Sequence, residues 1–94
     1  MTKNRRVVIT GLGSITPLGN SVDVFWKNIK SGQSGAGPIT VFDASRFKTK
    51  FACEVKDFGP LEYIENNKEL RKLDKFSVFA LAATKQAFKD SGVQ

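Results

Sequence analysis

The stretch from Lys75 to Asp90 constrains this chain most. Asp74 occupies a good N-cap position ahead of it, and Gly92 supplies a left-handed stop behind it. Between them the apolar residues form two stripes: Phe76, Phe79, Ala80, Ala83 and Ala87, then Val78, Leu81, Ala82 and Phe88. A helix on the surface of a domain needs only one such stripe. This one requires cover on two sides.

The rest of the chain offers little to provide it. Val7 to Thr10 is a short β-branched run ended by Gly11, Gly13 and Pro17, the pattern of a strand buried on both faces. Such a strand belongs in a parallel sheet, whose neighbours arrive through crossover connections. Ser21 is a good N-cap with Asp23 in the first turn, and Val22, Phe25, Trp26 and Ile29 follow helical spacing up to a C-terminal stop at Gly32. Gln33 to Ile39 reads as loop. From Arg46 to Lys56 the alternation is strict, with Phe47, Thr49, Phe51, Cys53 and Val55 on the face expected to be buried. Leu61, Tyr63 and Ile64 suggest a short helical turn. One strand, one shorter helix and one ribbon do not enclose a two-sided helix, so the chain is expected to be a segment of a larger domain.

Composition narrows the functional classes. At 94 residues the chain makes one domain at most. Fifteen Lys and Arg against nine Asp and Glu give +6, which favours acidic partners. A single cysteine cannot form an intrachain disulfide. No run approaches the roughly 18 apolar residues that span a bilayer. Lys3, Arg5 and Arg6 precede an apolar run, as in a signal peptide, but the glycines and Pro17 interrupt it and no small-residue cleavage site follows. A cytoplasmic protein with no membrane partner is expected.

Gly11-Leu12-Gly13 after a strand invites a dinucleotide-binding reading. That fingerprint needs a third glycine three residues on and a helix opening at the loop. Here Thr16 and Pro17 stand there, and the helix waits until Ser21. The plainer reading is a tight turn whose glycines permit positive φ and close packing. Cys53 is the one thiol, and a catalytic thiolate needs a histidine, a helix N-terminus or nearby cations. The chain has no histidine, and Cys53 shares the apolar face of the ribbon, so it reads as a small core residue. One Cys and no His also cannot build the usual zinc site. Glu62, Glu65 and Glu69 read as a solvated face. No catalytic residue, metal site or cofactor is expected in these residues.

The cations are more informative. Lys68, Arg71, Lys72 and Lys75 precede the last helix and, on a helical turn, share one face, which is the best candidate for docking an acidic partner. Arg46, Lys48 and Lys50 alternate with Phe47 and Phe51, and so fall on the face opposite the aromatics. Stacking platforms for nucleic acid need both on the same face, so no nucleic-acid partner is expected.

Taken in order, the motifs resemble the N-terminal part of the β-ketoacyl-[acyl carrier protein] synthases, closest to the synthase II type. They are Arg5-Arg6-Val7-Val8-Ile9-Thr10-Gly11-Leu12-Gly13, Thr16-Pro17-Leu18-Gly19-Asn20, Trp26-Lys27 and Ser31-Gly32-Gln33-Ser34-Gly35. Further on come Phe42-Asp43, Lys50-Phe51-Ala52, Val55-Lys56-Asp57-Phe58, Arg71-Lys72-Leu73-Asp74 and Asp90-Ser91-Gly92. The resemblance implies an α/β, thiolase-like fold of layered α-β-α-β-α type. Residues 1–94 would be the incomplete start of its N-terminal half. It implies a decarboxylating Claisen condensation in fatty acid biosynthesis, with the nucleophilic cysteine and both histidines beyond residue 94, and a homodimeric enzyme. Lys68, Arg71 and Lys72 match the family's Lys-Glu-x-Arg-Lys pattern, which implies that they dock the acidic acyl carrier protein. The other partner implied is the remainder of the synthase chain. The competing expectation is a free-standing basic module for an acidic protein or nucleic acid.

Overall fold

Local capping decides where the helices start and stop in the computed structural model, which describes residues 4–93; Lys3 of the leader reading lies outside them. Helix α1 spans Val22–Lys30, and the Ser21 hydroxyl accepts from Val24 N–H at 3.3 Å, as its position predicts. Gly32 follows with φ 76°, the left-handed stop. The last helix, α3, spans Lys75–Ser91 and ends on Gly92 at φ 71°. Asp74 has the extended backbone of an N-cap, but its side chain makes no capping bond.

The ribbon is much shorter than its alternation predicts. Strands β1 (Ala36–Pro38) and β2 (Phe51–Cys53) pair antiparallel with Gly37 opposite Ala52, and Ile39 N–H donates to Lys50 O one step further. Pro38, opposite Phe51, takes the non-bonded position between Gly37 and Ile39, where its missing N–H costs nothing, and past Ile39 neither chain continues as a strand. Residues 41–50 are irregular, with bends at 41–42 and 47–48 and a turn at 45–46. The face expected to be buried is open: Phe51 is 66% exposed, and Phe47 and Cys53 are exposed too. Cys53 is therefore a surface thiol and not a core residue.

Val7 to Thr10 forms no strand, and among the described residues no strand pairs with it. Val7 is 93% and Ile9 82% exposed. The run has the composition of a buried strand and none of the neighbours that bury one.

Immediately after it, the chain lies across α3. A Cβ on Gly13 would sit 2.0 Å from Ala83 O, and one on Gly11 2.2 Å from Ala87 O. Neither glycine has positive φ. Their function is close backbone approach, not an unusual turn. Leu12 N–H donates to Asp90 Oδ2 and Ser14 N–H to Gln86 Oε1, both at 3.0 Å. The chain then turns at Thr16–Gly19, where Thr16 and Gly19 exchange backbone hydrogen bonds around Pro17. Lys56 Nζ holds this turn through Pro17 O and Gly35 O, and Asn20 Nδ2 donates to Lys56 O.

The core between these pieces is thin. Ala44, Ile64, Val78 and Ala82 are the buried apolar residues among those described. The accessible surface is 8186 Å², where a compact protein of this mass exposes about 5,400 Å². The Cα radius of gyration is 17.3 Å, against about 12 Å for a compact domain of this length. One side of α3 is covered at Val78 and Ala82, while Phe76 and Phe88 of the two stripes remain exposed. No helix among the described residues is long and apolar enough to cross a membrane.

Candidate functional site

The cationic residues singled out by the sequence lie on a small, separate helix. Asn66 caps it by accepting from Lys68 N–H at 2.8 Å, and α2 runs Asn67–Arg71 with Lys72 as its C-cap. Lys68 and Arg71 are three residues apart and Lys68 and Lys72 four, so their side chains leave neighbouring points of one helical face. All three are exposed. Cations in the last turn also suit the negative end of the helix dipole.

Lys75 does not join them on this helix. Asp74 is extended, so the helix breaks between α2 and α3, and Lys75 is the first residue of the next helix. The continuous face of four cations expected from helical spacing is thus three on α2 plus one across a break. Glu62, Glu65 and Glu69 are exposed, in keeping with a solvated face.

The inner side of α2 is apolar. Leu70 and Leu73, with Val55, Phe58, Val78 and Phe79, line an open cleft of about 510 Å³ between α2 and the start of α3. None of the α2 residues is buried. A five-residue helix is too short to persist on its own hydrogen bonds, so its placement depends on what holds its ends.

That anchorage is the part sequence reading missed. Tyr63, which follows a 3₁₀ turn at Pro60–Glu62, stacks on Phe58 at 5.9 Å between ring centres, and Phe58 meets Phe79 of α3 edge-on at 5.2 Å. Gln86 Nε2 donates to Tyr63 Oη at 2.9 Å and to Asn20 O at 2.6 Å, while Gln86 Oε1 accepts from Ser14 N–H. One amide thereby ties the glycine segment, the Tyr63 turn and α3 together. The available signal was a polar residue four positions after Ala82 and three after Ala83, on the small-residue side of the helix.

The other cationic group, Arg46, Lys48 and Lys50, is also exposed, on irregular chain. Phe42 and Phe47 beside it form an edge-to-face pair at 5.6 Å. Aromatics and cations are both open to solvent here, and the irregular chain before β2 has no strand faces to separate them.

Residues 4–94 match the family described as beta-ketoacyl synthase, N-terminal domain. The 3-oxoacyl-[acyl-carrier-protein] synthase 2 of Coxiella burnetii is 49% identical over 92 residues, which are 98% of this chain and 22% of that protein. The protein of the same name from Vibrio harveyi is 48% identical over 90 residues, 96% of this chain and 21% of its own length. A solved structure described as the ishigamide ketosynthase/chain length factor superposes with a TM-score of 0.87 at 38% identity, over 98% of this chain and 23% of that one. The chain spans about a fifth of the length of the relatives it matches.

Proposed function

The chain belongs to the β-ketoacyl synthase family, in its N-terminal domain and with its thiolase-like α/β fold, and from that premise we propose that it forms the leading part of a β-ketoacyl-[acyl carrier protein] synthase of the synthase II type. The observation that carries this reading is the match along nearly the whole chain, at up to 49% identity, to proteins named 3-oxoacyl-[acyl-carrier-protein] synthase 2.

The reaction on this reading is a decarboxylating condensation in fatty acid elongation. An acyl group is held as a thioester on cysteine, and a malonyl thioester loses carbon dioxide. The carbanion so formed attacks the acyl carbon, and the cysteine thiolate leaves. These 94 residues contain no histidine, and their one cysteine lies on an exposed two-stranded ribbon. Their contribution is scaffold and docking surface, and by themselves they are inactive. The bare Val7–Thr10 run and the open sides of α3 are where the remainder of the synthase packs. The complete enzyme is a cytoplasmic homodimer that needs no cofactor.

Its partner at α2 is the acyl carrier protein, whose acidic surface complements Lys68, Arg71 and Lys72. Close opposite charges raise the encounter rate and fix register more than they add affinity. The test is the triple change Lys68→Glu, Arg71→Glu and Lys72→Glu in the complete synthase, with carrier-protein affinity measured across ionic strength. Binding is expected to weaken and its salt dependence to flatten, and turnover of carrier-borne thioesters should fall further than that of carrier-free ones. Unchanged affinity and salt slope would remove the docking assignment.

A free-standing binding module fits less well. Such a module covers its own core, whereas this chain exposes about half again the surface of a compact protein of its mass.

A further inference from the structure

The docking helix has little hold of its own. It is five residues long, buries none of them, and borders an open cleft. Its position is set at the N-terminal end by the segment 63–66, in which Ile64 is buried at 6% exposure and Tyr63 is held at three points. Gln86 Nε2 donates to the phenol oxygen at 2.9 Å, Lys85 Nζ donates to the Tyr63 carbonyl oxygen, and the ring lies parallel to Phe58 within 5°. Both donors are on α3, one turn after Ala82, the most deeply buried residue of that helix. Only Ile64 and Glu65 separate Tyr63 from Asn66, the N-cap of α2.

We infer that Tyr63 and Lys85 are positioning residues for carrier-protein docking: they fix the start of α2 to α3, and so set the direction in which Lys68, Arg71 and Lys72 present their charge. This rests on the docking assignment above. The cations reach solvent with or without the tether. What the tether supplies is a single orientation, and an interface that relies on fixed register loses affinity when its charges must be reordered on binding.

Tyr63→Phe removes the hydroxyl bond and keeps the stacked ring. Lys85→Met removes the ammonium donor, and Lys85→Arg restores one. These changes are made in the complete synthase beside the triple charge reversal at Lys68, Arg71 and Lys72. Affinity for the carrier protein is read across ionic strength, and amide exchange is followed at residues 67–72, with α1 as the control for global folding. The double variant Tyr63→Phe/Lys85→Met is expected to raise Kd by about three- to tenfold, the scale of one ordinary hydrogen bond. Its salt slope should stay at the wild-type value because the cations remain. Exchange should rise in 67–72 and not in α1, and Lys85→Arg should bind as the wild type does. A double variant that binds like wild type while the charge reversal weakens binding overturns the positioning role and leaves the docking assignment standing. Failure of Lys85→Arg to restore binding lost in Lys85→Met also overturns it. A charge reversal without effect removes both.

Discussion

Replacing Gly13 by alanine is the most direct test of how this chain is assembled. The new Cβ would lie 2.0 Å from Ala83 O and 2.8 Å from both Ala87 N and Gln86 Cβ. The nearest atom belongs to helix backbone and cannot swing aside. To reach 3.0 Å, the limit of real Cβ contacts, the seam must open by about 1 Å. Overpacking of this kind costs about 1–3 kcal/mol. Opening the seam also stretches the bonds from Leu12 N–H to Asp90 and from Ser14 N–H to Gln86, each a further contribution of about 1 kcal/mol. The expected loss is therefore about 3–5 kcal/mol, a large part of the stability of an ordinary domain. Two other glycines give the contrast. A Cβ on Gly37 meets nothing within 4 Å, so Gly37→Ala should be neutral or gain up to about 1 kcal/mol through the unfolded state. Gly32 also has open space, but its φ of 76° disfavours any side chain, and Gly32→Ala should cost about 1–2 kcal/mol. Urea unfolding of the complete polypeptide orders the three variants, and amide exchange at Leu12 and Ser14 reports the seam itself. If Gly13→Ala unfolded at the midpoint of Gly37→Ala with Ser14 still protected, the close-approach account would be wrong.

Two smaller effects follow from single side chains. Ser21→Ala should lower stability by about 1 kcal/mol through loss of the α1 cap, and Ser21→Asp should retain it, as thermal unfolding will show. Glu54 is held below the ordinary carboxylate range by hydrogen bonds from the Thr40 hydroxyl and N–H, with Val41 N–H adding to them. Its charged form is thus favoured in the folded state. The stability it contributes is complete above its unfolded value of 4.5 and is lost as pH falls through the lower folded value. Glu54→Gln should therefore show a smaller drop in melting temperature between pH 7 and acid than the wild type. An equal drop would remove the assignment.

The helices were legible from sequence because their ends are local chemistry. Ser21, Gly32 and Gly92 act within a few residues of themselves, and each stands where its type predicts. The two apolar stripes of α3 were equally legible, and the structure covers one side of that helix and leaves Phe76 and Phe88 open. The ribbon was read too long because alternation records which residues suit a strand and not whether a partner strand continues; here the partner stops at Pro38. Cys53 does have a partner strand, opposite Ala36, and is exposed because nothing among the described residues packs on that face of the ribbon. Lys68, Arg71 and Lys72 do share a helix, yet Lys75 does not, because a residue that caps one helix must end the one before it.

Sequence alone determined the limits of α1 and α3, the surplus of positive charge and, through its ordered motifs, the family. These rest on interactions between near neighbours or on composition, so they survive without knowledge of the fold. Only the tertiary structure decided that Gly11 and Gly13 serve contacts 70 or more residues away, that one amide at Gln86 joins three segments, and that Tyr63 is bonded to α3. A contact across the fold leaves at each end only a residue small enough or polar enough to make it. Which two ends meet is set by how the chain packs, and no local pattern contains that information.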